Sequence, residues 1–331
     1  MASKIIDGVY QLKVPIPNNP LENTNVYLLR GNNSYALIDC GWGGEIAFTS
    51  LSQQLAQLEV GFRDISQIIV THAHFDHFGL AGRIKQLSNA TIYMHRQEGE
   101  IFRTRYTITE EFIKKSEEWF KINGVPDLVP AAMRMPVSGF SRPVLPQPDI
   151  LLDGGETIVI GCFNLQIFWT PGHSPGHICL YEPDRKLLFA GDHVLPVITP
   201  NVSLPPQSDD NPLGDFLKSL STIKTLTVDT VLPAHETIFN NLSKRVNEIV
   251  QHHENRSEEI LKALNYNQMT AYEISNLITW MPELGGVKFA DLMPFDKRNA
   301  VSETLAHLRA MSIAQKVTSV TQGSIVYYKN I

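Results

Sequence analysis

The chain has 331 residues, 43% of them hydrophobic and 19% charged, enough to bury a full core as one large domain with a smaller one attached. Its formal net charge of -6 and pI near 6.0 supply no general attraction for nucleic acid or for an anionic membrane surface. No uncharged apolar stretch approaches the roughly eighteen residues of a membrane span, and the opening MASKIIDGVYQLKVPIP has no apolar signal-like run, so the expected location is cytoplasmic, without a membrane partner.

In chain order, GVYQLKV, NVYLLR and YALIDCG read as an opening strand meander with turn-forming Asn and Gly between them. The apolar spacing over 44–59 predicts a helix, DISQIIVTH a strand, HFGLAGRIKQLS a helix and ATIYMH a strand, a β-α-β-α-β progression. Residues 96–148 are rich in helix formers and aromatics (Phe102, Tyr106, Phe112, Trp119, Phe120), then punctuated by proline, and read as an inserted helical cap. A second β-rich stretch over 150–194 holds ETIVIG, FNLQIFW, HICLYE and KLLFAGD, followed by a helix near 212–226 and the strand VDTVLPAH. This α/β alternation predicts sheets covered by helices on their outer faces.

From 241 the pattern changes. SKRVNEIVQHHENRSEEILKAL carries Val246, Ile249, Val250, His253, Ile260, Leu261 and Leu264 along one helical stripe. TAYEISNLI and AVSETLAHLRAM read as shorter helices, and KVTSV with SIVYYK as a terminal hairpin, an order that predicts a small winged-helix-like domain over 241–331 behind a catalytic domain over 1–240. Ten Lys or Arg stand against nine Asp or Glu in that segment, too little excess for phosphate neutralisation and better suited to packing or a homodimer contact. Cys40, Cys162 and Cys179 are scattered in strand-like surroundings and read as reduced, buried thiols.

The chemistry concentrates in IIVTHAHFDHFG. His72 and His74, two apart in an extended segment, can face one centre, while Asp76 and His77 fall where the next helix begins. Imidazole and carboxylate suit zinc, manganese or iron, and two such pairs exceed what one tetrahedral catalytic site would use. His173, Asp192 and His235 follow in loops after predicted strands, so five histidines and two carboxylates would make two coordination shells joined by a bridging carboxylate. His177, His193 and Asp39 adjoin these loops as pocket or supporting groups, whereas His95, His252, His253 and His307 read as surface or helix-packing residues.

The motif His-x-His-x-Asp-His, with His173, Asp192 and His235 in chain order, resembles the metallo-β-lactamase superfamily over about residues 5–240. The resemblance implies an αββα sandwich with the site at one edge between the sheets. It further implies two divalent ions, zinc in the first instance with iron or manganese as alternatives. His72, His74 and His173 would hold the first, Asp76, His77 and His235 the second, with Asp192 bridging. No cysteine stands at position 192, unlike the antibiotic-hydrolysing subclass that has a cysteine ligand, and His74 replaces the Glu of the flavodiiron pattern. TPGHSPGHICL with GDHVL looks like the glyoxalase II and lactonase branch, while the C-terminal segment resembles the winged-helix extension of related hydrolases, some of which cleave single-stranded RNA.

The expected activity is hydrolysis of a carboxylic ester, thioester or lactone by a metal-bridging hydroxide, with Asp76 orienting that hydroxide or shuttling its proton. Aromatics of the cap, among them Tyr106, Trp119 and Phe120, would line a pocket for a small-molecule substrate with an apolar acyl or ring group. The alternatives are an endoribonuclease of the winged-helix type and a metal-binding scaffold without turnover.

Overall fold

The computed structural model describes residues 1–105, 110–126, 146–204, 206, 210–265 and 267–331, with backbone alone at 101–105, 110 and 112. The first sheet has seven strands in sequence order. β1 (Ser3–Ile6), β2 (Val9–Pro15), β3 (Asn23–Arg30) and β4 (Tyr35–Ile38) are antiparallel neighbours, and β5 (Ile65–Ile69), β6 (Thr91–His95) and β7 (Ile150–Leu152) continue in parallel. Parallel neighbours need crossovers, made here by α1 (Glu45–Gln57) and by α2 (Phe75–Phe78) with α3 (Ala81–Ser88). In the second sheet β8 (Thr157–Ile160), β9 (Phe163–Trp169), β10 (Ile178–Glu182) and β11 (Leu187–Gly191) form an antiparallel meander. After α6 (Pro212–Ile223), β12 (Thr230–Pro233) lies parallel to β11. The short β1 and β7, four and three residues long, fall outside the predicted elements.

Side-chain alternation decides the layers. In β3, Val26 and Leu28 share a core with Leu51 and Leu55 of α1 and Ile84 of α3. Tyr27 and Leu29 turn to the opposite face, into a core with Phe163, Leu165 and Phe189 of the second sheet. In β11, Leu187 and Phe189 join that inter-sheet core, whereas Leu188 and Ala190 belong with Phe216 and Leu220 of α6 and with Val246 and Ile249 of α7 (Leu242–Leu264). The result is an αββα sandwich. Burial on both faces is why KLLFAGD reads as one apolar run instead of alternating.

Past α7 come α8 (Ala271–Leu277), α9 (Pro294–Ile313) and the antiparallel hairpin of β13 (Val317–Gln322) and β14 (Ile325–Asn330). Ile274, Val301, Leu305 and Leu308 belong to the same hydrophobic cluster as Phe216 and Leu220, so one interior runs from the second sheet into the C-terminal segment. Helix α9 starts six residues before the predicted AVSETLAHLRAM because Pro294 occupies its first turn, where a missing N–H costs nothing.

Within the insert, α4 (Arg96–Arg105) and α5 (Glu110–Ile122) are helical, while Tyr106 and 127–145 lie outside the described residues. Trp119 and Phe120 are 8% and 5% exposed, inside the cluster that includes the C-terminal helices, and the Arg298 guanidinium lies 5.7 Å from the Phe120 ring centroid. Both side chains are thus part of the packing between the insert and the C-terminal helices. Cys40 and Cys179 are buried, but Cys162 is exposed, correcting the expectation of three buried thiols. It sits in the tight connection between β8 and β9, where a side chain has no core to enter. Among the described residues no helix is long and apolar enough to cross a membrane.

Candidate metal centre

The loops after β5, β9, β11 and β12 meet at one edge of the sandwich. His72 and His74 leave β5 in extended chain; His74, at φ -72 and ψ 151, is the N-cap of α2, so Asp76 and His77 belong to the first turn that follows. The change from extended to helical backbone turns the second pair toward a neighbouring centre. Two glycines allow close approach. At Gly172 (φ +140) a Cβ would lie 2.3 Å from Phe216 Cβ, and at Gly191 (φ +51) 2.5 Å from His177 Nε2, so neither position accepts a side chain.

Two groups of candidate ligands result: His72, His74, His173 and Asp192, and Asp76, His77 and His235, with the ligand atoms of each group within 4.8 Å of one another. His72 Nε2 lies 2.8 Å from His74 Nδ1, which is 3.1 Å from His173 Nε2. Asp192 stands between the groups. Its Oδ2 is 3.5 Å from His173 Nε2 and 3.4 Å from His77 Nε2, and its Oδ1 is 3.3 Å from His235 Nε2. Asp76 Oδ2 is 3.5 Å from His77 Nε2 and 3.3 Å from His235 Nε2. Zinc with bonds of about 2.0–2.1 Å in a tetrahedron separates its ligand atoms by roughly 3.3 Å, which these distances bracket.

The imidazoles are held by their other nitrogens. His77 Nδ1 donates to Asp39 Oδ2 at 2.8 Å, His173 Nδ1 to the Asn201 carbonyl at 2.8 Å and His235 Nδ1 to the Asn23 carbonyl at 3.0 Å, which aims each Nε2 at the centre. His72 Nδ1 lies 3.1 Å from Thr71 Oγ1, itself 2.9 Å from Asp39 Oδ2, so Asp39 orients one ligand in each group. His177 Nε2 accepts from the Asp192 backbone N–H at 3.1 Å and fixes the strand end that carries the Asp192 carboxylate. His193 is buried with neither ring nitrogen hydrogen-bonded, against Phe216 at 4.9 Å between ring centroids, and contributes no atom to either group. His95 stacks on Trp169, and His253 and His307 are buried where α7 packs on α9.

A cation fits this donor set. His77 Nε2, His235 Nε2 and Asp192 Oδ1 are buried without a hydrogen-bond partner, a costly state for three polar atoms unless an ion satisfies them. The electrostatics separate the two groups. Burial holds His72 and His173 below the ordinary imidazole range, so they are neutral and ready to ligate at neutral pH. For His77 and His235 burial acts in the same direction but is outweighed by nearby carboxylates, Asp192 first, which raise His77 and push His235 up to about 10. Below such a pKa the imidazole keeps its proton, and the proton must leave before Nε2 can bind a cation. Metal binding at the Asp76 group therefore releases protons, and acidification from neutral to mildly acidic pH should strip this ion first. Calorimetric titration in buffers of different ionisation enthalpy reads the release; equal pH dependence of both sites would refute the assignment.

One supporting residue carried no sequence signal. Glu98 in α4 is fully buried; its Oε2 accepts from the Ala73 N–H and its Oε1 from the Gly176 N–H, both at 2.8 Å. It ties the His72–His77 loop to the loop of His173, yet in RQEGE it reads as a solvated helix charge. Glu98→Gln turns an amide donor toward one of these N–H groups, at a cost of about 1–3 kcal/mol. A lower melting temperature and roughly tenfold weaker metal binding are expected; wild-type values in both would remove Glu98 from the centre.

Comparison with known proteins agrees with this geometry. The family model of the metallo-beta-lactamase superfamily matches residues 19–235. The probable metallo-hydrolase YqjP of Bacillus subtilis is 25% identical, with 98% of each chain aligned. Human acyl-coenzyme A thioesterase MBLAC2 is 28% identical over 65% of this chain and 74% of its own. Among solved structures, metallo-beta-lactamase family protein TTHA1429 from Thermus thermophilus superposes with a TM-score of 0.82 at 32% identity, over 99% of this chain and 100% of that one.

Proposed function

The chain belongs to the metallo-beta-lactamase superfamily, and from that premise we propose that it is a dinuclear metal-dependent hydrolase of carboxylic thioesters, esters or lactones. The observation that carries the reading is the Asp192 carboxylate, with one oxygen toward His173 and His77 and the other toward His235. His72, His74 and His173 would hold one ion, Asp76, His77 and His235 the other, with Asp192 shared. The chemistry supplied by divalent ions at these residues would be Lewis-acid activation of water and of the scissile carbonyl. Zinc suits the imidazole-rich first group, and iron or manganese would be accepted according to supply.

Asp76 is the natural group to orient the attacking water. Burial would raise its carboxyl, but His77 and His235 outweigh that and hold it ionised, and its side chain is 17% exposed against 10% for Asp192 and 0% for His77. It is thus an ionised acceptor with part of its side chain open beside the centre. Asp39, Thr71 and His177 keep the ligands in place. Cys40 and Cys179 are not nucleophiles for this chemistry: burial raises both thiols, the latter to about 12, which leaves them protonated.

Thioesters lead the substrate class because a relative bears the name of an acyl-coenzyme A thioesterase. A second reading, cleavage of single-stranded RNA, takes its support from the β13–β14 hairpin behind α8 and α9, a winged-helix-like order, against a segment charge of only about +1 from ten basic and nine acidic residues. One metal-loaded preparation assayed on acyl-thioesters, esters, lactones and labelled single-stranded RNA separates these. Release of thiol or acid is expected; turnover of RNA alone would replace the proposal, and two bound ions with no turnover on any arm would favour a scaffold.

A further inference from the structure

His173 depends on the backbone carbonyl of Asn201, which accepts its Nδ1 proton at 2.8 Å. That carbonyl lies between β11 and α6, in a stretch without regular structure, so something else must fix its direction. The fixing contacts come from α9. Asn201 Nδ2 donates to Glu303 Oε2 at 3.1 Å, across 102 residues of chain, and the Leu204 N–H donates to the Ser302 carbonyl at 3.0 Å. Ser203 Oγ donates to Asn201 Oδ1, so both ends of the Asn201 amide are engaged. Burial raises the Glu303 carboxyl, while the buried Arg256 of α7 draws it back toward the ionised, acceptor-only form.

We propose that Glu303 is a positioning residue for the first metal ion: through Asn201 it sets the carbonyl that orients His173, and so makes the C-terminal helix part of the metal centre. The link rests on the reading of His72, His74 and His173 as metal ligands. An acceptor that fixes a ligating imidazole is worth about 10–100-fold in metal affinity. The carbonyl itself survives any side-chain change here, so the loss arises from its freedom to turn away.

The test is chelator competition on the full chain, read as two binding steps. Glu303→Ala should weaken the first ion by about 10–100-fold and leave the second nearly unchanged. In a His235→Ala background, where only the first group is complete, the remaining ion should weaken by the same factor. Glu303→Gln retains an oxygen for Asn201 Nδ2 and should restore the affinity, a rescue that a bulk packing role would not predict. Asn201→Ala should match Glu303→Ala, and the double variant should be no worse than either, since the two act as one unit. Glu254→Gln, at an exposed position of α7, serves as the control and should bind both ions normally. Unchanged first-ion affinity in Glu303→Ala, or additive losses in the double variant, would overturn the proposal. If Glu303→Ala fails to fold, Asn201→Ala and Glu303→Gln still decide it. A wild-type chain that binds no ions overturns the metal-centre reading itself, and this link with it.

Discussion

Asp192→Ala should abolish binding of both ions and lower hydrolytic activity by on the order of 10³-fold or more. The carboxylate faces His173 and His77 through Oδ2 and His235 through Oδ1, so its removal takes a ligand from each group at once. It would also remove a counter-charge from a buried cluster of five imidazoles. Lewis-acid stabilisation is worth several kcal/mol at the transition state, and each 1.36 kcal/mol is a factor of ten in rate, which sets the expected size of the loss. Cys162→Ala is the matched control, because Cys162 is exposed between β8 and β9, away from every candidate ligand. Elemental analysis of the two variants checks the claim. Retention of two ions by Asp192→Ala would end the assignment of a bridge.

Removal of metal by a chelator should silence the protein and lower its melting temperature by roughly 15–30 °C. An ion present at a thousandfold excess over its Kd stabilises the native state by about 4 kcal/mol, so two ions contribute roughly 8 kcal/mol if they bind independently. For a large domain 1 kcal/mol moves Tm by about 2–4 °C. The physical source is visible in the chain: without cations, His77 Nε2, His235 Nε2 and Asp192 Oδ1 are buried polar atoms with no hydrogen bond. Calorimetric scans with and without chelator, followed by return of two equivalents of metal, measure both effects. Identical scans would place the ions elsewhere or nowhere.

Much of this centre was legible in the sequence because ligand chemistry is local in type. Few roles other than metal binding call for His72, His74, Asp76 and His77 within six positions, and the strand-to-helix change through them is a period change read directly from the residues. His173, Asp192 and His235 were recognisable since each follows a run of strand-forming residues and two of them follow a glycine. Glu98 was not legible. A glutamate near the start of a helix is ordinarily solvated, and only the approach of two separate loops turns it into a buried acceptor for Ala73 and Gly176. Trp119 and Phe120 show the opposite case: composition marked them as apolar anchors but could not choose between a pocket and a core, a choice made by the C-terminal helices that pack over them.

Residue type and periods of a few positions suffice for the donor atoms, for the strand and helix order and for the superfamily, since each of these is written in neighbouring residues. Which donor atoms converge, that Asp192 stands between the two groups, and that Glu303 of α9 meets Asn201 beside His173 are set by the folded chain alone. Those facts depend on contacts between residues about a hundred positions apart, which chain closure and packing set and which no local pattern records.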